Sequence, residues 1–325
     1  MMIPVLYLVI PCYNEEAVLP ETVRQLSQKY DILIQAQKIS PLSKIVFVND
    51  GSKDTTWQLI QQYHHDYPEI FSGICLAHNS GHQNAILAGM LTVKNLCDAV
   101  ITMDADLQDD IDTIDKMVDE FAKGFQVVYG VRSARKTDTF FKRWTAESFY
   151  KLMQMMGVEL VYNHADFRLM SQRVLQELAN YPEINLFLRG IVPTIGFSST
   201  IVYYERHERF AGESKYPLRK MLHFAGDGIT SFSVKPLKMI MNIGFIMVIL
   251  SIIMFIWAFV DKLKGNTVAG WSSTVCSIWL VGGMQLLCLG IIGEYIGKIY
   301  AEVKRRPRYI VAEFLNDNKK EGKQE

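Results

Sequence analysis

The sequence has no cysteine pairs. Cys12, Cys75, Cys97, Cys276 and Cys288 are odd in number, scattered and never spaced as CxxC. That excludes a disulfide frame and a cysteine zinc site, and it suits reduced thiols in a cytosolic or membrane setting. Neither charge is in excess: 34 Lys and Arg stand against 34 Asp and Glu, which argues against a nucleic-acid binder with a broad basic face. The phosphate-loop pattern GxxxxGK[ST] and the dinucleotide pattern GxGxxG are both missing. The apolar run at the N-terminus is short, lacks a basic region before it and stops at Pro11, so it reads as a first buried strand and not as a signal peptide. His64, His65 and His78 lack ligand spacing with another His or Cys and read as structural.

Charge is also missing locally. Residues 239–260 contain none in 22 positions, and 271–293 contain none either, with Trp271 at an expected interface. As a helix the first run is roughly 33 Å long, enough for a ~30 Å hydrocarbon core. Soluble helices of that length carry a polar face, so two transmembrane helices are expected, at about 239–260 and 273–296, within a hairpin over 236–298. Lys235, Lys238, Lys298, Lys304, Arg305, Arg306 and Arg308 flank the pair, against Lys262 and Lys264 between. The basic bias places both ends in the cytoplasm. Gly293 and Gly297 form a GxxxG spacing that serves either the hairpin itself or a homo-oligomer.

Before residue 130, short apolar runs alternate with helical stretches. VLYLVI (5–10), KIVFVND (44–50), GICLAH (73–78), AVITMD (99–104) and FQVVYG (125–130) read as strands. Strand–helix alternation predicts an α/β fold with a doubly wound, mainly parallel sheet, which collects ligands at the carboxyl ends of its strands. A polar cluster follows each strand: PCYNEE, NDGSKD, NSGHQNA, DADLQDD and GVRSAR. Any one of them is ordinary turn chemistry, and Asp54 is a candidate helix cap. Five on one rim describe a crevice for a large polar ligand.

The fourth cluster puts four aspartates within residues 104–110. Asp104 and Asp106 suit Mg²⁺ or Mn²⁺, ions that keep coordination positions for water and phosphate oxygens. Asp109 and Asp110 precede a helical segment and are expected to cap it or favour its positive end.

VIPCYNE, VNDGSKD and TMDADLQDD resemble the nucleotide and metal motifs of family-2 glycosyltransferases with the GT-A fold. ADFRLMS (165–171), ERHERFAGESKY (205–216) and the hairpin extend the resemblance over roughly residues 3–310, to the polyisoprenyl-phosphate branch that includes bactoprenol glucosyltransferases and dolichol-phosphate mannose synthases. The resemblance implies a nucleoside site at Pro11, Tyr13 and Glu15, with Asp50 near the base or ribose. It implies a metal on Asp104 and Asp106, helped by Gln108, and phosphates facing Arg132, Arg206 and Arg209. Asp166 takes the position usually given to the catalytic carboxylate, with two readings open, a base or an orienting group; a structural ion pair with Arg168 is the competing reading. His82 departs from the Lys or Arg common after Asn-x-Gly.

The implied organisation is a GT-A domain over 1–210, with an interfacial helix inserted at 136–157. A juxtamembrane amphipathic segment at 211–235 follows, then the hairpin and a basic tail over 299–325. Lys215 and Arg219 would lead the acceptor phosphate inward. The implied reaction moves a sugar, glucose from UDP-glucose first, onto undecaprenyl phosphate with inversion, at the cytoplasmic face of a bacterial inner membrane. UDP-GlcNAc, UDP-galactose, GDP-mannose and aminosugar donors fit the same chemistry. A processive synthase would show QxxRW, but the nearest string, Phe140 to Trp144, has no Gln. A non-catalytic anchor or flippase subunit would need no metal pair.

Overall fold

Continuous aliphatic runs form the centre of a sheet because strands covered on both faces have no solvent side to keep polar. In the computed structural model, which describes residues 3–133, 155, 164–184, 188–205, 230, 233–263 and 270–316, these runs are β1 (Leu6–Cys12), β2 (Lys44–Asn49), β3 (Phe71–Leu76), β4 (Ala99–Thr102) and β5 (Val127–Arg132). Every residue of β1, β2 and β4 is buried. Between them run α1 (Leu19–Gln35), α2 (Thr56–Asp66), α3 (His82–Val93) and α4 (Thr113–Ala122).

Three further strands complete the sheet: β6 (His164–Ser171), β7 (Ser199–Tyr204) and β8 (Val311–Leu315). The order is β7-β5-β6-β4-β1-β2-β3-β8. β1 pairs in parallel with β2 and β4, β2 with β3, and β5 with β7; β6 is antiparallel to both its neighbours, and β8 is antiparallel to β3. The expected mainly parallel α/β sheet is present, with antiparallel strands inserted in its middle and at one edge.

Two of these strands differ from the sequence reading. ADFRLMS is a sheet-centre strand as well as a motif, and its register Thr102↔Arg168, continued by two residues, sets Asp166 across from Asp104. Residues 311–315 lie in the segment expected to be a basic tail, yet they return to the sheet: Ser72 donates to the Leu315 carbonyl at 2.6 Å and the Ala77 N–H to the Ile310 carbonyl at 2.9 Å. Pairing covers an edge that β3 would otherwise present to solvent.

Helix α3 rides unusually close to the sheet. A Cβ on Gly89 would sit 2.4 Å from Val9 Cγ1 and 2.8 Å from Val48 Cγ2, so only glycine allows this approach. It brings the first turn of α3, His82 and Gln83, to the strand ends. Two short helices, α5 (Gln172–Leu178) and α6 (Leu188–Thr194), complete this part.

The described residues fall into two compact units, the sheet with its flanking helices and a second holding two long helices. The latter are α7 (Lys235–Leu263, 29 residues) and α8 (Trp271–Lys304, 34 residues), which carry the uncharged runs as helices. Tyr295 on α8 donates to the Ser233 carbonyl at 2.5 Å, just ahead of α7. Not all of their side chains are described, and among the described residues no helix is long and apolar enough to cross a membrane. Among the described cysteines, Cys12, Cys75, Cys97 and Cys288 are free thiols. His64 is buried with Nδ1 2.8 Å from the Phe71 carbonyl, the structural role expected of it.

Candidate active site

The polar clusters at the strand ends divide into groups that brace the rim and groups that face open space. After β1 and β2 the two loops are hydrogen-bonded together. Asn14 Oδ1 accepts from Lys53 N at 2.8 Å, Ser52 Oγ accepts from Asn14 N at 3.0 Å, and Glu16 Oε2 accepts from Thr55 N and Oγ1 at 3.0 and 2.6 Å. Asp54 accepts from Thr56 N at 3.1 Å and Glu16 N at 3.3 Å, which fits its reading as a turn residue before α2.

This bracing leaves a cleft of about 330 Å³ lined by Pro11, Tyr13, Glu15, Asp50, Gly81 and His82 among others. The four residues assigned to the nucleoside therefore share one cavity. Tyr13 stands 43% exposed at its mouth. Asp50 is buried, and its two oxygens accept from Ser80 N at 2.6 Å and Gly81 N at 3.0 Å. Burial pushes its carboxyl up, and those two N–H groups oppose the shift. Its first task is thus to shape the loop between β3 and α3. Gly51 next to it has φ +66°, and a Cβ there would lie 2.6 Å from Asn79 N.

Asp104 leaves the end of β4 with its Oδ1 buried and, among the described residues, without a hydrogen-bond partner; His82 Nε2 lies 3.5 Å away. Burial pushes the Asp104 carboxyl up to about 6; His82 opposes this, while Asp109, Asp166 and Asp106 add to it. A buried carboxylate oxygen with no donor is costly unless a cation meets it. Asp106 is also buried, and its Oδ1 accepts from Gln108 N at 3.2 Å. Leu107, just after Asp106, has φ +55°, a left-handed conformation that a leucine adopts under constraint. That turn lets Gln108 N reach back to Asp106, and the Asp106 charge is near enough to act on Asp104. Among the described residues no group of three His, Cys, Asp or Glu could hold an ion alone. Two carboxylates with one orphaned oxygen fit a divalent ion whose remaining positions go to substrate and water.

Asp109 does not cap the next helix. It is buried, accepts from Tyr204 Oη at 2.5 Å and pairs with Arg132 Nη2 at 3.5 Å, while Arg132 Nε donates to Tyr204 Oη at 3.1 Å. Burial, then the Asp109 charge, pushes the Tyr204 hydroxyl far up. The turn before α4 is made by Asp110, which accepts from Asp112 N at 2.9 Å and Thr113 Oγ1 at 3.4 Å. The correction has a simple cause: Tyr204 and Arg132 draw Asp109 into the interior, and only Asp110 turns toward the helix. Arg132 is thereby fixed beside the aspartate cluster at the end of β5.

Asp166 is the hub of the site. The buried Arg168 donates to its Oδ1 at 2.8 Å, Arg189 donates from Nε to Oδ1 at 3.2 Å and from Nη2 to Oδ2 at 3.0 Å, and His82 Nε2 lies 3.7 Å from Oδ2. Burial opposes ionisation of Asp166, but His82, Arg189 and Arg168 hold it well below the usual carboxylate range. The same contact with Asp166, aided by Asp104, raises His82 although burial works against its charge. The Asp166–Arg168 ion pair expected as the competing reading exists, and it sits inside the site.

Arg189 and Gln83 were not foreseen. The available signal for Arg189 was its isolation, the sole charged residue between Glu183 and Glu205. Arg206, Arg209, Lys215 and Arg219 lie outside the described residues, as do nearly all of the segments 136–157 and 215–235.

Residues 7–179 match the model of glycosyl transferase family 2, and residues 235–299 match the GtrB C-terminal hairpin. The chain is 56% identical over 308 residues to YkoT of Bacillus subtilis, an uncharacterized glycosyltransferase, covering 95% of this chain and 91% of that protein. It is 40% identical to the SfII prophage-derived bactoprenol glucosyl transferase of Shigella flexneri, covering 94% and 96%, and 38% identical to the prophage bactoprenol glucosyl transferase homolog of Escherichia coli, covering 94% and 97%. A mixed, mostly parallel α/β sheet with paired aspartates at its rim, matched over more than half its length, makes this chain a member of glycosyl transferase family 2.

Proposed function

We propose that the protein is a membrane-anchored, inverting glycosyltransferase. It moves a sugar from a nucleoside diphosphate donor, UDP-glucose first, to the phosphate of a polyisoprenyl lipid such as undecaprenyl phosphate. The observation that carries this reading is the Asp104–Asp106 seat, with its orphaned carboxylate oxygen, beside a 330 Å³ cleft on a chain whose relatives are named for bactoprenol glucosyl transfer.

In this reading Pro11, Tyr13, Glu15 and Asp50 bound the nucleoside. Asp104 and Asp106, with Gln108, hold Mg²⁺ or Mn²⁺, which when bound neutralises charge on the departing diphosphate. Arg132 faces phosphate from the far side of the aspartate cluster, joined by Arg206 and Arg209, with Lys215 and Arg219 toward the lipid. The acceptor monoester is mostly dianionic near neutral pH, given a second pKa around 6. The residues' main work is therefore to bring two anions together in line and to exclude water.

The hairpin gives the acceptor its setting. Phe245 on α7 and Leu286, Leu287 and Leu289 on α8 are exposed apolar side chains, which a bilayer would cover. We place α7 and α8 across the membrane, with the sheet and both termini on the cytoplasmic side, by the basic residues at 235, 238 and 298–308. The segments 136–157 and 215–235 then lie at the headgroup level, and Gly293 and Gly297 offer a face for helix pairing.

The test is to incubate the purified protein with undecaprenyl phosphate, Mg²⁺ or Mn²⁺, and a panel of labelled sugar nucleotides. Label in the lipid phase is expected, lost with excess chelator and in Asp106→Asn while membrane insertion survives. Full transfer by Asp106→Asn refutes the metal seat, and no label with any donor refutes the reaction.

A further inference from the structure

The uncharged part of α8 ends at Gly293, but the helix continues through residues 294–304. In these last three turns the apolar side faces outward. Ile296, Ile299, Tyr300 and Val303 stand at i, i+3, i+4 and i+7, one stripe of a helix, and they are 59–72% exposed. Tyr295, Lys298, Ala301 and Glu302, on the other side, are half-buried, and Tyr295 is the residue tied to the Ser233 carbonyl. The charges of this stretch, Glu294, Lys298 and Glu302, all lie off the stripe. Left in water, the stripe forgoes the free energy of its burial.

Cations border it at the lower end. Lys304 Nζ sits 4.2 Å from the centre of the Tyr300 ring, which holds the ammonium beside the stripe. Arg305 follows in the left-handed conformation, φ +49°, and ends the helix with its N–H donating to the Glu302 carbonyl at 3.2 Å. Its side chain makes no hydrogen bond or ion pair among the described residues. In sequence, positions 298–308 hold five Lys or Arg against one Glu. The helix dipole favours a cation at a C-terminus, but it does not call for an outward apolar stripe beside that cation.

An apolar stripe edged by unpaired cations fits the boundary where acyl chains meet anionic headgroups. The inference rests on the membrane placement proposed above. With the uncharged residues 271–293 across the hydrocarbon core, roughly 34 Å of helix, residues 294–304 begin at the headgroup level. The stripe then continues the lipid-facing surface that starts with Leu286 and Leu289. A second copy of the chain is the competing occupant. It enters the membrane in the same orientation, so pairing along the stripe sets Lys304 and Arg305 of both copies side by side, and like charges disfavour that contact.

We propose that the last three turns of α8, with Lys304 and Arg305, bind anionic phospholipid of the cytoplasmic leaflet. The headgroup phosphate meets the two cations, and the acyl chains run along Ile296, Ile299, Tyr300 and Val303.

The experiment titrates the full chain in detergent with phosphatidylglycerol and, separately, phosphatidylcholine, counting bound lipid by native mass spectrometry. Wild type is expected to bind phosphatidylglycerol about 5- to 30-fold more tightly, the effect of one to two cations at a membrane surface. The preference narrows as the salt concentration is raised. Lys304→Gln combined with Arg305→Gln brings it to within about twofold and leaves phosphatidylcholine binding unchanged, whereas Ile299→Ser with Val303→Ser weakens both lipids alike. If a variant fails to fold, the wild-type preference and its salt dependence still decide. The proposal is overturned if wild type binds the two lipids equally, or if the Lys304 and Arg305 variant keeps the full preference. Displacement of phosphatidylglycerol by inorganic phosphate, the mark of a free-anion site, also overturns it. So does a dimer in the same spectra that the Ile299 and Val303 variant turns into monomer. Extraction of membranes with alkaline carbonate separates the two ways of failing. Release of the wild type refutes the hairpin placement itself, while retained protein with no preference between lipids refutes the lipid site alone.

Discussion

Replacing Asp104 by asparagine should stabilise the metal-free protein while removing its use for a metal. The carboxyl is pushed from the usual 3.8 up to about 6, by burial first and then by Asp109, Asp166 and Asp106. A shift of about two pH units corresponds to ~3 kcal/mol between the protonation states. The side chain keeps 36% of its surface in solvent, and screening there reduces the figure to about 1–1.5 kcal/mol. The sign follows from proton binding. Between pH 4 and 6 the folded protein holds a proton that the unfolded chain has released, so stability falls as pH rises through this window. Above it the full cost of ionising Asp104 is present, and Asp104→Asn escapes it. The depressed carboxyl of Asp166 works in the opposite direction but is common to both proteins.

The assay is thermal unfolding of the full chain in detergent with excess chelator. Asp104→Asn should melt about 3–5 °C above wild type at pH 8 and close to it at pH 4.5. Added Mn²⁺ should then raise the wild-type midpoint alone, because only a ligand bound to the folded state stabilises it. A variant less stable than wild type at pH 8 with chelator, or an equal response of both proteins to Mn²⁺, refutes the reasoning.

Three other outcomes are expected. Gly51→Ala places a Cβ 2.6 Å from Asn79 N and 2.9 Å from the His78 carbonyl carbon at φ +66°, so it should cost about 2–4 kcal/mol and weaken UDP binding, read by thermal melts and UDP titration. Arg168→Met leaves Asp166 with one fewer buried partner and the Leu188 carbonyl without its donor, a loss of about 3–5 kcal/mol by denaturant unfolding; combined with Asp166→Asn the loss should be less than additive. Deleting residues 310–325 uncovers β3 and removes the acceptor of the Ala77 N–H, so the midpoint should fall and the donor KM rise; an unchanged donor KM would separate β8 from the cleft.

The five strands read from sequence are those buried on both faces, where aliphatic runs have no competing interpretation. β6 was legible only as a motif. Phe167 and Leu169 belong to the core cluster on one face, but the other face carries Asp166 and Arg168, and charges in a strand pattern suggest a site before they suggest a sheet. β8 was hidden for a different reason. Its five residues follow a basic stretch, and its partner is β3, with Ser72 and Leu315 standing 243 positions apart. No local periodicity encodes such a pairing.

The same distance limits what sequence says about the site. DADLQDD marks where negative charge accumulates, but it does not say which aspartate is already satisfied. That depends on partners from elsewhere in the chain: Tyr204, 95 residues away, takes Asp109, while among the described residues no hydrogen-bond donor satisfies Asp104 Oδ1. A motif therefore identifies the place, and the long-range partners decide which of its groups are left for substrate. By that criterion Asp104 is left open toward a cation, whereas Asp109 is committed to holding Arg132. Asp166 is committed too, to the buried Arg168 and to Arg189.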